Sequence, residues 1–135
     1  MISFAIFCFC NLITEKINFI EYNISVKKQK GDKNMAIMLN NDNFNSEVME
    51  AKEPVIIDFF ANWCAPCRML LPIIDDLSKE ANGYKVCKVN VDEEREIASN
   101  FGIMSIPTII VMKDGKIYNK AVGFRSKTDI LDMIK

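Results

Sequence analysis

From residue 35 onward, the spacing of apolar positions changes repeatedly, and these changes predict strands alternating with helices. A continuous apolar run over 54–60, introduced by a proline, is typical of a strand buried on both faces. Apolar residues at helical spacing over 65–81 predict an amphipathic helix that ends at Gly83. The β-branched stretch 84–92 then favours another strand.

Cap and turn signals divide the rest of this region into shorter elements. They predict an opening strand at Ile37–Leu39, a helix capped by Asn41 or Asp42, a short helix over 93–102, and a last helix capped by Ser126. Asp114-Gly115 between two apolar runs is typical of a β-hairpin. The order of elements predicts an α/β fold, with a central mixed β-sheet of 4–5 strands flanked by helices on both faces.

Residues 1–34 have a different texture, because an apolar start, "MISFAIFCFCNLI", leads into the basic tail "KKQKGDKN". The apolar part is interrupted after about a dozen residues, short of the roughly 20 that a membrane helix needs. Three interpretations stay open: a disordered leader, an upstream extension of a frame that starts at Met35 or Met38, and a membrane anchor or export segment. The folded domain is predicted to occupy 35–135.

Composition excludes several classes of function. The 17 basic and 18 acidic residues nearly cancel, so nothing favours a nucleic-acid or anionic-membrane partner. The chain has no histidine, which excludes Cys-His and Ser-His nucleophile pairs and most catalytic zinc sites. The chemistry must therefore come from thiols, carboxylates and lysines, and the five cysteines become the first candidates.

Two of these cysteines flank an Ala-Pro pair in "FFANWCAPCRML", where the buried strand gives way to the long helix. Side chains three apart on a helix lie within reach of a disulfide after small adjustments, so Cys64 and Cys67 can form or open a bridge. The helix N-terminus lowers the pKa of the Cys64 thiol and favours its attacking thiolate. Cys67, a turn deeper, suits the resolving role. Pro66 fits the first turn of the helix, and Trp63 forms a wall beside the attacking sulfur.

The residues also allow two other interpretations of the pair. A structural zinc site needs four ligands, and only Cys8 and Cys10 in the leader could complete one, so no metal is expected. A purely structural disulfide is disfavoured because it would enclose almost no chain and stabilise little. The fifth cysteine, Cys87, is expected to be a small buried hydrophobe, with regulatory oxidation as the alternative.

Asp58 is the carboxyl group that the sequence most favours for a role in the chemistry. It lies within the apolar run "VIIDFF", where burial disfavours the charged form and raises its pKa towards neutrality. The alternative is an ordinary aspartate at a strand end, hydrogen-bonded to a loop.

Several motifs in order resemble the thioredoxin family: "FFANWCAPC", then Pro72, "KVNVD", "SIPTII", "KDGK" and "VG". The similarity covers about residues 37–134. It implies a thioredoxin fold and a protein-disulfide reductase that carries electrons as a dithiol. By that resemblance Cys64 is the nucleophile, Cys67 the resolving cysteine and Asp58 the group that exchanges a proton with it.

The resemblance also implies roles for residues around the pair. Lys88 would tune the charge of Asp58, and Pro107 would be a cis-proline beside the disulfide. The backbone at Ile106 would pair with an extended substrate peptide. The other residues with expected roles are Trp63, Pro66 and Gly123, which would border the docking surface, and Ala65, which replaces the family's usual glycine and would tune redox poise together with Pro66 and Lys88.

No Gly-rich dinucleotide motif occurs, so no bound cofactor is expected. The resemblance implies that electrons come from NADPH through a thioredoxin reductase and pass to disulfide-containing substrate proteins, with a monomeric carrier in the cytoplasm. Two alternatives stay open: a membrane-tethered extracytoplasmic oxidoreductase, and a non-catalytic binding subunit that shares the fold.

Overall fold

The computed structural model describes residues 35–135, so the interpretations of the leader, including Cys8 and Cys10, fall outside the described residues. Its elements are β1 (Ile37–Met38), a π-helical turn (Asn45–Met49), β2 (Val55–Phe60), α1 (Ala65–Lys79), β3 (Lys85–Asn90), α2 (Arg95–Asn100), β4 (Thr108–Lys113), β5 (Lys116–Val122) and α3 (Lys127–Asp132). In this part of the chain no helix is both long enough and apolar enough to cross a membrane.

The strands form one sheet in the order β1-β3-β2-β4-β5. β3 runs parallel to both β1 and β2, whereas β4 is antiparallel to β2 and to β5. The predicted mixed sheet is therefore confirmed, with five strands. The β4–β5 hairpin turns at Asp114-Gly115, where both residues adopt a positive φ (53° and 70°), as a tight hairpin turn requires.

Alternating side chains of the central strands supply two separate apolar cores. Ile56 of β2 faces a core shared with α1 and α3, which includes Ile74 and Ile130. Its neighbour Ile57 faces the opposite core, which is shared with the π-helical turn and includes Ile97 of α2. Helices thus cover both faces, as predicted, because a strand with period-two side chains that is buried on both sides needs a cover on each.

Several elements are one to three residues shorter than predicted, and two helix ends differ in the residues that define them. The first predicted helix is only the π-helical turn, and Asn40, instead of Asn41 or Asp42, supplies the side-chain oxygen that accepts the Asp42 and Asn43 amides. α1 ends at Lys79, and Gly83 lies beyond the helix in the turn that leads to β3. Both differences reflect local hydrogen bonding that the apolar pattern does not encode.

Candidate active site

The chain turns sharply between the end of β2 and the start of α1. The Cys64 amide donates to the Ala61 carbonyl at 3.2 Å, which closes the turn. Cys64 has an extended backbone (φ −83°, ψ 110°) and is the N-cap of α1, so that Ala65 and Pro66 are its first two residues. Proline is tolerated here because first-turn amides have no partner within the helix.

Cys64 and Cys67 form a disulfide, with their Cα atoms 5.3 Å apart. The Cys67 amide donates to Cys64 Sγ at 3.3 Å. Cys67 is fully buried, while Cys64 keeps 5% of its surface exposed. An amide aimed at the outer sulfur stabilises negative charge on it once the bridge opens, and the exposed fraction marks it as the sulfur that an incoming group can reach.

The segment before β4 approaches this disulfide from another part of the chain. The Ile106–Pro107 peptide bond is cis, as the family resemblance implied. The Ile106 carbonyl oxygen lies 3.9 Å from Cys64 Sγ, and the Gly123 amide donates to the Pro107 carbonyl at 2.8 Å. The fold therefore brings the Ile106 carbonyl to Cys64 and ties Gly123 to Pro107, the residue that follows Ile106.

Asp58 lies in the middle of β2 and is inaccessible to solvent. Neither of its carboxylate oxygens has a hydrogen-bond partner among residues 35–135. Burial raises its pKa from the usual 3.8 to about 7, although Lys88, directly opposite on β3, acts in the lowering direction. The alternative of a strand-end aspartate bonded to a loop is wrong, and the predicted desolvated carboxyl is confirmed.

Trp63 is 69% exposed beside the pair. Its indole N–H donates to the Asp92 carboxylate at 2.9 Å, a contact that the sequence analysis did not anticipate. The available signal was positional, because Asp92 follows parallel strand β3 just as Trp63 follows neighbouring β2, and the carboxyl ends of parallel strands meet at one edge of the sheet.

Cys87 lies apart from this site, on β3 and in the core opposite to α1. It is fully buried, and burial raises the pKa of its thiol to about 12. Lys85 acts against that rise and Glu47 adds to it. The prediction of a small buried hydrophobe is confirmed.

Comparison with known proteins agrees with this geometry. The thioredoxin family model matches residues 35–135. Thioredoxin from Rickettsia felis is 46% identical over 101 residues, covering 74% of this chain and 96% of the relative. Thioredoxin 1 from Synechococcus elongatus is 42% identical over 92 residues, covering 67% and 86%.

A solved structure of a mutant thioredoxin from Halobacterium salinarum NRC-1 superposes with a TM-score of 0.69 at 28% identity, covering 78% of this chain and 92% of the other. The region that matches the family model includes the Cys64–Cys67 disulfide, so the similarity covers the site as well as the fold. The chain therefore belongs to the thioredoxin family and is a thioredoxin-like protein-disulfide reductase whose working group is a redox-active disulfide.

Proposed function

We propose that Cys64 is the nucleophile of this reductase and Cys67 the resolving cysteine. In the reduced protein, the Cys64 thiolate attacks one sulfur of a substrate disulfide, forms a mixed disulfide and releases the other substrate sulfur as a thiolate. The Cys67 thiolate then attacks Cys64 Sγ, which releases the second substrate sulfur and closes the Cys64–Cys67 bridge. Two electrons pass to the substrate, and no other oxidant or reductant takes part.

The observation that carries this assignment is the asymmetry between the two sulfurs. Cys64 has the exposed surface and receives the Cys67 amide, whereas Cys67 is sealed beneath it. A buried thiol cannot meet a protein substrate directly, but it can attack the neighbouring sulfur within the same turn.

Asp58 acts as the proton acceptor for Cys67 in this scheme. A carboxyl with a pKa of about 7 is partly ionised at neutral pH, so it can take a thiol proton during reduction and return it when the pair is reduced again. Its burial, on the face of the sheet that α1 covers, supports this role. Lys88, opposite Asp58 in the strand register, tunes the ionisation of that carboxyl.

The substrate docks as an extended peptide against the backbone of Ile106, with Pro107, Gly123, Trp63 and Pro66 bordering the contact. Support comes from the Ile106 carbonyl, which lies 3.9 Å from the attacking sulfur, so that a peptide paired with this backbone would bring its disulfide to Cys64. Recognition through backbone groups tolerates many sequences, so the reductase acts on a range of disulfide-containing proteins.

Reducing electrons come from NADPH through a thioredoxin reductase, and the protein acts as a monomer in the cytoplasm without a bound cofactor. Ala65 stiffens the turn between the two cysteines relative to glycine and adjusts the redox poise. Cell fractionation, followed by detection with an antibody against the folded domain, tests whether the protein is in the cytoplasm. Recovery in the membrane fraction would favour the tethered alternative.

Insulin reduction driven by NADPH and thioredoxin reductase tests the mechanism. We expect Cys64→Ser to abolish turnover, and Cys67→Ser to stop after one step and accumulate a mixed disulfide through Cys64. Turnover by Cys64→Ser, or a mixed disulfide trapped through Cys67 instead, would overturn the assignment. Equal binding of a protein partner by both variants and wild type, with no reduction by any of them, would favour the non-catalytic alternative.

A further inference from the structure

Asp75, on the third turn of α1, contacts Lys88 of β3. The Lys88 ammonium lies 4.0 Å from Asp75 Oδ1, and the two side chains are 15% and 36% exposed, respectively. Asp75 Oδ1 is itself shielded from solvent and has no hydrogen-bond partner among residues 35–135. The pair is therefore a loose, half-buried ionic contact across the interface between helix and sheet, where screening by water is reduced.

Lys88 also faces Asp58, because the two residues are directly opposite in the parallel register of β2 and β3. Directly opposite residues of neighbouring strands point to the same face of a sheet. Here that face is the one covered by α1, as Ile56 and Val86 two positions earlier show. One ammonium therefore lies 4.0 Å from the Asp75 carboxylate and also acts electrostatically on the carboxyl group of Asp58, on a different element.

The other groups around Asp58 carry no balancing charge. Ile109 of β4 is opposite Asp58 on its other side. α3 contributes the apolar Ile130 and Met133 to the core on this face, and α1 contributes the apolar Leu70 and Ile74. Among the described residues, Lys88 is the charged group that acts on the Asp58 carboxyl.

We propose that Asp75 is a positioning residue that holds the Lys88 ammonium in a shared position, so that Lys88 stabilises the ionised Asp58 only in part. A single positive charge divided between two carboxylates compensates neither fully. Asp75 acts through Lys88 and does not touch the reacting sulfurs. The inference rests on the proposed proton-accepting role of Asp58, since it explains how that carboxyl stays poised for the task.

The ionisation of Asp58 is consistent with this arrangement. Burial is the dominant influence and raises its pKa to about 7, so the opposing influence of Lys88 is not enough to restore the usual value. A fully committed ion pair would hold the carboxyl ionised well below neutral pH, where it would be a weak proton acceptor. Sharing Lys88 with Asp75 prevents that outcome.

The decisive experiment titrates Asp58 by carboxyl carbon NMR in the oxidised full-length chain. We expect Asp75→Asn to lower the titration midpoint of Asp58 by about 1 pH unit, because Lys88 is then free to pair with Asp58. The matched control is Asp76→Asn on the adjacent position of α1. Asp76 pairs with Lys79 at 3.8 Å on the exposed face, so the same loss of charge there should leave the Asp58 midpoint unchanged.

A second background tests the route. In Lys88→Met, Asp75→Asn should no longer move the Asp58 midpoint. An unchanged or raised midpoint in the single variant would overturn the proposal, and so would an equal fall in the Lys88→Met background or in Asp76→Asn.

The titration does not depend on catalysis, so it separates this inference from the proposed function. If Asp58→Asn left the resolving step at full rate, the proton-transfer role would fail while the Asp75 coupling could still be measured. If Asp58→Asn slowed that step but Asp75→Asn left the midpoint in place, only the present inference would fail.

Discussion

Within residues 35–135, Asp58 is buried on one face of the central sheet and Cys87 on the other, and burial has opposite consequences for their ionisation at neutral pH. Asp58 on β2 and Cys87 on β3 are both inaccessible to solvent and lie on neighbouring strands. Burial raises the pKa of the carboxyl to about 7 but that of the thiol to about 12. Desolvation favours the neutral form of both groups and so raises both pKa values. The usual pKa of an aspartate lies below 7 and that of a thiol above 7, so the carboxyl pKa moves towards neutral pH and the thiol pKa moves away from it.

The two buried groups also differ in the residues that pack against them. Asp58 faces the helix that begins at the redox-active disulfide and has Lys88 opposite it. Cys87 packs among apolar residues such as Val55 and Val89, in a cluster that Ile106 borders but that does not include the two redox cysteines. A buried titratable group can therefore take part in proton transfer only where the element that covers it carries a second group to exchange the proton.

The largest effect should be seen in thiol reactivity. When the reduced protein is treated with iodoacetamide at pH 8, we expect Cys64 to be alkylated about a thousand-fold or more faster than Cys87, because alkylation needs the thiolate. Peptide mass mapping over time measures both rates. Unfolding in denaturant is the control and should bring Cys87 to the rate of an ordinary thiol. Comparable labelling of the two cysteines in the folded protein would refute the contrast.

Replacing Asp58 should have the next largest effect on activity. We expect Asp58→Asn to slow the resolving step by about 100-fold at neutral pH, because the amide cannot accept the Cys67 proton. Rapid mixing with a substrate disulfide resolves this step from the first attack, which should be nearly unchanged. Asp76→Asn provides the charge-matched control, and slowing of both steps to the same degree would count against a specific role in proton transfer.

The same substitution should change stability with the opposite sign. The folded pKa of Asp58, about 7, lies above the usual 3.8, so ionisation costs more in the folded state than in the unfolded one. The unfolding free energy of the wild type therefore falls as pH rises from 4 through 7, by up to about 4 kcal/mol. Asp58→Asn should lack this loss, and denaturant unfolding at pH 4 and pH 8.5 measures the difference. Parallel pH dependence in both proteins would contradict a raised folded pKa.

On the opposite face, Cys87→Ala should cost about 1 kcal/mol of unfolding free energy, because it removes a buried sulfur and leaves a small void. Urea unfolding measures this cost. Insulin reduction should remain at the wild-type rate, since Cys87 has no contact with the disulfide. A large loss of activity without loss of stability would contradict a purely structural role for Cys87.

The smallest effect should follow from Asp92→Ala, which removes the acceptor for the Trp63 indole N–H. Because this hydrogen bond is exposed, we expect KM for a protein substrate to rise only about threefold, with kcat unchanged. Glu93→Ala, the next exposed acidic residue, is the control. A fall in kcat of more than tenfold would show that Asp92 acts on the chemistry itself, which would extend the active region beyond the α1-covered face.

The chain's linear pattern was enough to predict those features that depend on neighbours in sequence. The hairpin at Asp114-Gly115 and the amphipathic α1 are confirmed because turn chemistry and helical period are local properties. The cysteine pair and the cis-proline could be recognised because each lies in a compact motif. Helix ends were predicted less well, as Asn40 and Lys79 show, because short-range hydrogen bonds decide them.

Contacts between separate elements could not be predicted in this way. Trp63 and Asp92 are 29 positions apart, and they meet only because the ends of β2 and β3 share one edge of the sheet. In the sequence Asp75 is one polar position among several on α1, and only the packing of α1 against β3 places it 4.0 Å from Lys88.

Residue type and spacing along the chain are enough to identify the reactive groups and the points where strands give way to helices. Which of the buried groups share an environment depends on strand register and helix packing, which exist only in the folded chain. They set the distances and the solvent exclusion on which proton affinity depends.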